Sequence, residues 1–267
     1  MLGSILLVAQ PASLVQAQRI IPLSDTLLAA TDELPVRFRT LSAGMYNYRF
    51  GEFFVLSRQG GTTTATQRDR GPILDRRAIG RHATSFRYAV KSRDSGRVSV
   101  SVRTSGRSEV ERPTFAIGAR FEEPDDTVEV ANITTATIVF EDDTAGAWKL
   151  LMDERTGTRV PDRYSFEATI TSGTRIIRLL PVRGTVPPSR GLFGFLSGGG
   201  AYGFVFEENG RAFAAVQYAG AGSRPMDLRV WMPTSFTARE RLELAAIFTA
   251  VLVSARIPAA QRRGPSK

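Results

Sequence analysis

Residues 242–255, LELAAIFTAVLVSA, carry a single charge, Glu243, and are apolar on nearly every side of a helix. A helix of this kind has no face to give to water, so the rest of the chain must surround it. Thr237 and Glu240 stand at capping-box spacing and mark its start, and Pro258 is expected to end it. At ~1.5 Å per residue the run falls short of a bilayer, which needs ~20 apolar residues, so it is read as a core helix and no transmembrane span is expected.

Strands must supply the enclosure. Two-residue alternation dominates residues 36–232. Val98, Val100 and Val102 alternate with Ser99, Ser101 and Arg103, which predicts a strand with one buried face. Phe86, Tyr88 and Val90 alternate in the same way, and the turn residues 92–96 join the two segments into a hairpin. A second hairpin is expected at 203–218, around Asn209-Gly210, a pair that accepts the positive φ of a type I′ turn. Further alternating segments lie at 115–121, 137–141, 148–152, 164–170, 175–180 and 228–232. With no helical period between them, these do not make βαβ units. The expected fold is mainly β: about a dozen strands in an antiparallel barrel or two packed β-sheets, with one C-terminal hydrophobic helix packed in or against the sheet. The element order over about 136–255 is similar to that of the tubby C-terminal, scramblase and LURP-one-like barrels, which close around a hydrophobic C-terminal helix. That resemblance implies a lipid-associated barrel.

Two stretches break the alternation. Residues 58–83 hold six arginines before His82 and are expected to form a long basic loop, and the Gly- and Pro-dense 181–202 is expected to be a flap. Within the latter, Gly198, Gly200 and Gly203 spell a dinucleotide fingerprint, but a strand-forming GFVFEENG follows where a helix N-terminus is required.

The N-terminus is apolar through Ala9, and Val15 and Ala17 fit a signal-peptidase site, although no Lys or Arg precedes the apolar run. Residues 1–17 are therefore expected to be a signal peptide. Residues 18–35 form an N-terminal segment, 36–256 a β-rich domain with a subdivision at 112–113 as an alternative, and 257–267 a disordered tail. The localisation that follows is periplasmic or extracellular, with a cytoplasmic location if the segment is retained.

The chain has no cysteine and one histidine, which removes thiolate catalysis, Cys-ligated metals, disulfides and any site built on two imidazoles. No catalytic residue, cofactor or metal site is assigned. Acidic residues cluster as Glu122-Glu123, Asp125-Asp126 and Glu141-Asp142-Asp143, and paired carboxylates on loops are the basis of an alternative hydrolase reading. The net charge of +9 raises an anionic partner. It alternates in blocks: +10 over 36–112, −7 over 113–170 and +8 over 171–267. Arg68, Arg70, Arg76, Arg77, Arg81 and His82 concentrate positive charge, offset by Asp69 and Asp75. They are the candidate binding residues. Either they bind an anionic envelope polymer or lipid, or they clasp the acidic 122–143 region of the same chain. Interleaved aromatics are missing, which argues against nucleic acid. The function expected is a non-enzymatic binding or structural component of a bacterial cell envelope.

Overall fold

The structure is a computed structural model that describes residues 21–42, 45–70, 75–93, 96–113, 126–141, 146–160, 164–184, 201–219 and 227–261. A short helix, α1 (Asp25–Ala29), is capped by the Ser24 hydroxyl, which accepts from the Leu27 amide. Thirteen strands follow: β1 (Thr31–Pro35), β2 (Arg37–Ser42), β3 (Met45–Phe50), β4 (Phe53–Arg70), β5 (Asp75–Lys91), β6 (Arg97–Pro113), β7 (Asp126–Phe140), β8 (Trp148–Thr156), β9 (Tyr164–Ser172), β10 (Arg175–Gly184), β11 (Ala201–Glu208), β12 (Arg211–Ala219) and β13 (Arg229–Pro233). The chain ends in α2 (Ala238–Gln261).

All thirteen strands belong to one antiparallel sheet in the order β1-β13-β12-β11-β10-β9-β8-β7-β6-β5-β4-β3-β2. The two edge strands, β1 and β2, are separated in sequence by Val36 alone, whose amide bonds the Leu228 carbonyl at 2.9 Å. The chain therefore steps directly from one edge to the other, and the sheet curls into a nearly closed barrel. Closure in this way leaves little strand edge to template aggregation. β6 ends at Pro113 and pairs with β7 from Val98 to Glu111, so the strands on either side of 112–113 belong to one sheet.

The inward faces carry the predicted residues. Phe86, Tyr88 and Val90 of β5 lie in register with Val102, Val100 and Val98 of β6, which in turn meet Ala136, Ile138 and Phe140 of β7. Trp148, Leu150 and Met152 of β8 continue the layer, and all but Phe140 are buried. Against this lining packs α2, in contact with β4–β7 and with β12 and β13, strands from well-separated parts of the sheet. Leu242, Leu244, Ala246, Ile247, Phe248, Ala250 and Leu252 are each at most 2% exposed, although together they point in every direction round the helix. The buried hydroxyls of Thr249 and Ser254 donate to the carbonyls of Ala245 and Ala250, so the helix brings no unmatched hydroxyl into the core. The capping box forms as expected, with the Glu240 carboxylate accepting from the Thr237 amide and the Thr237 hydroxyl accepting from the Glu240 amide. No helix among the described residues is long and apolar enough to cross a membrane.

Outside the barrel, Ile21, Leu27, Ala215 and Trp231 form a small second cluster that ties the N-terminal segment to β12 and β13. The Gln217 amide bridges it, accepting from Ile21 N and donating to Asp227 O.

Two expectations are corrected. Within the stretch 58–83, residues 58–70 and 75–83 are not a loop: they belong to β4 and β5, paired from Phe54↔Lys91 to Arg70↔Arg77. Their inward positions, such as Ala65, Gly80 and His82, are small or polar because the strands extend past the helix-filled interior, so backbone pairing holds them where apolar alternation is missing. The C-terminal helix passes Pro258 and reaches Gln261. A proline costs one backbone hydrogen bond and a bend, which a helix near its end can absorb. The Asn209-Gly210 turn has the predicted positive φ at both residues, 53° and 76°. Gly203 lies within β11, where a Cβ would overlap the Val216 carbonyl oxygen, so close strand packing accounts for it. Residues 115–121, most of the 181–202 stretch and the acidic residues 122, 123, 125, 142 and 143 lie outside the described residues.

Candidate functional site

Strands β4 to β7 are much longer than those that follow, so the hairpins they form reach beyond the apolar core. On the inward face the valine layers end at Thr84, Thr104 and Thr134, three buried threonines on adjacent strands, with the last two hydroxyls 2.9 Å apart. Two residues further along come His82, Gly106 and Asn132 in register, and then Glu154 opposite Asn132 on β8. A Cβ at Gly106 would overlap His82 Cε1 and Nε2 and stand 2.5 Å from Asn132 Oδ1, so the imidazole and the amide converge over the bare glycine. His82 Nε2 is buried without a hydrogen-bond partner. Burial holds the imidazole below its ordinary value of 6.5, against the opposing pull of the Asn132 side chain.

The outward face of the same strands is cationic. Register sets arginine directly opposite arginine at two such positions, Arg70↔Arg77 and Arg81↔Arg107; a third pair, Arg76↔Arg112, falls at the alternate, inward positions. Like charges directly across a strand pair are destabilising unless something between them compensates. Arg77 is also in register with Glu111 of β6. Arg107 reaches Glu109 at 3.5 Å, and Arg159 reaches the same carboxylate at 3.4 Å. Arg81 makes no ion pair among the described residues. Its outward surroundings are a shallow depression of about 380 Å³ lined by Thr64 and Thr66 of β4, Ser105 and Arg107 of β6, and Ala131 and Ile133 of β7. Two guanidiniums over hydroxyls at one depression can present several N–H and O–H donors to one anionic group.

The six sequence candidates are therefore distributed as follows. Arg68 and Arg70 lie on β4, and Arg76, Arg77, Arg81 and His82 on β5. Alternation puts positions 77 and 81 on one face and 76 and 82 on the other, so the set is not a single patch. Arg81 faces the depression from outside, and the imidazole of His82, although it belongs to the inner layer, also lines it beside Gly106. The basic strands lie beside β6, which separates them from β7 and its acidic start at Asp126 and Glu129. Sequence reading missed Arg107, Ser105, Gly106 and Asn132. A glycine inside an alternating strand was the available signal for the last two, since it marks a close approach.

A second charged cluster lies where α2 begins. Arg175 donates to both oxygens of Glu208 at 2.9 and 3.1 Å and stacks on Trp148 at 5.0 Å. Its guanidinium draws the Glu208 carboxyl below the ordinary range. Burial pushes Glu243 up, against Arg239 and Arg175. Each acid here has a basic or aromatic neighbour, which fits a seal on the end of the barrel. Of the acidic clusters, Glu141 is held by Arg97 at 2.9 Å and by the Ser99 hydroxyl, so it is engaged in an ion pair. Among the described residues no group of three or more His, Asp or Glu is placed to hold a metal ion. No protein-family model, curated protein or solved structure matches the chain, so the likeness in element order to tubby, scramblase and LURP-one-like barrels receives no support from them.

Proposed function

We propose that this chain is a non-enzymatic binding protein of a bacterial cell envelope, exported and processed after Ala17, that holds phosphate or carboxylate groups on the outer face of β4–β6. The observation that carries the reading is the Arg81↔Arg107 pair, two exposed guanidiniums forced opposite one another beside three hydroxyls, one of them without an acidic partner among the described residues. An anionic group seated between them relieves the repulsion and accepts from both forks. Among the described residues, α2 and the strand side chains pack the apolar interior of the barrel.

Dextran sulfate serves as the probe. A contact that releases two counterions loses about tenfold in affinity between 50 and 200 mM salt, and the wild type is expected to do so. The R81Q/R107Q variant is expected to lose that salt-dependent binding with its Tm not lowered. Binding that ignores salt, or that survives in R81Q/R107Q, refutes the site. Export is tested separately by intact mass of the protein from its native cell: a species beginning at Gln18 is expected, and retention of residues 1–17 overturns the envelope assignment.

A further inference from the structure

We infer that the outer face of β5–β10 docks on an anionic lipid bilayer, so that lipid headgroups are the source of the anionic groups in the reading above, on which this inference rests. The sheet register lays out two adjacent rows across six strands. One places Arg103, Leu151 and Arg178 among Ser85, Thr135 and Thr169. The other places Arg87, Lys149 and Ile176 among Ser101, Thr137 and Thr171. These rows contain four cations, six hydroxyl residues, two aliphatic side chains and no acid. None of the four cations makes an ion pair among the described residues. At ~4.8 Å between strands, the strip is ~24 Å wide.

The aliphatic residues decide the kind of partner. Leu151 is 49% exposed and Ile176 55%, and Val139 and Ile133 flank the rows at 41% and 42%. These positions point outward on strands whose alternate residues are buried, where polar side chains would serve stability better. A hydrated polymer offers such groups nothing. A bilayer interface takes aliphatic tips into the acyl boundary while arginine and lysine stems lie along it with their charges at the headgroups. The acid-free charge of the rows complements an anionic leaflet. Acidic residues return just beyond, at Asp153 and Glu167, which are opposite each other in the next row towards the Arg81 depression.

The test uses the full chain and sedimentation with vesicles of phosphatidylcholine alone or with 30% phosphatidylglycerol. Dextran sulfate binding, circular dichroism and sedimentation velocity run beside it. The wild type is expected to sediment with the anionic vesicles and not the neutral ones. Neutralising Arg87, Arg103 and Arg178 together should weaken this about fivefold per charge. L151D/I176D should lose the vesicles while keeping its fold and its dextran sulfate binding at Arg81 and Arg107. Wild-type binding to dextran sulfate without binding to vesicles overturns the lipid inference and leaves the anion reading intact. Binding to neither overturns both. Unchanged vesicle binding by L151D/I176D refutes the strip as the contact. A wild-type dimer that L151D/I176D turns into a monomer, without vesicle binding, assigns the strip to a second copy of the chain instead.

Discussion

Truncating the central helix on opposite sides tests the enclosure directly. Leu242 and Leu244 are two residues apart, so they lie ~200° from one another round α2, and an amphipathic helix could bury only one of them. Here they are 0% and 2% exposed. Each Leu→Ala change removes buried methyl groups and leaves a cavity in a closely packed interior, which costs ~2–5 kcal/mol. Phe248, one turn on from Leu244 and on the same side, is 0% exposed and meets Phe206 edge-on at 5.2 Å between centroids. Phe248→Ala should cost ~3–5 kcal/mol, of which the ring pair accounts for ~0.5–1.5. Urea unfolding followed by circular dichroism gives the three values, read from the midpoint at unchanged m. Costs above ~2 kcal/mol at both leucines are expected. A loss below ~0.5 kcal/mol at either, the range of a solvent-facing site, would refute the enclosed helix.

Arg81→Glu places an acid opposite Arg107, so thermal stability should rise by ~0.2–1 kcal/mol while dextran sulfate binding falls; a loss of stability would mean that Arg81 already has a stabilising partner. Gly106→Ala drives a methyl into His82 and Asn132 and should cost ~1–3 kcal/mol in chemical unfolding, with much of the loss recovered in G106A/H82A. Because His82 is held below 6.5 in the folded state, unfolding takes up a proton as the pH falls beneath that value; stability should be full above pH 6.5 and decline from there towards the folded-state pKa, and His82→Gln should flatten this decline in a pH series of melts. Tyr88 behaves in the opposite sense: burial first, then Tyr48, hold its phenol well above 10.0, so stability should drop as the pH rises past 10.0, and Tyr88→Phe should remove that drop.

Where short-range chemistry decides structure, the sequence by itself was sufficient. The Val98, Val100, Val102 alternation, the Asn209-Gly210 turn and the apolar run from Leu242 each dictate a local conformation and a buried face, and together they require strands around a helix. The polar continuation of β4 and β5 was not legible in this way. At Gly80, His82 and Thr84 the inward positions lie beyond the reach of the apolar core, so the hydrophobic period that marks a strand is missing although the backbone pairs on both sides. Only the tertiary structure decided what those residues meet. Register across β5, β6 and β7 converges His82, Gly106 and Asn132 from positions far apart in the chain. The same register sets Arg81 opposite Arg107 and aligns Arg103, Leu151 and Arg178 in one row. Pairing between strands is a non-local choice, made by the sum of all their contacts, and no window along the chain contains it. Closure at Val36 is of the same kind, because it depends on where the thirteenth strand comes to lie once the other twelve have curled round the helix.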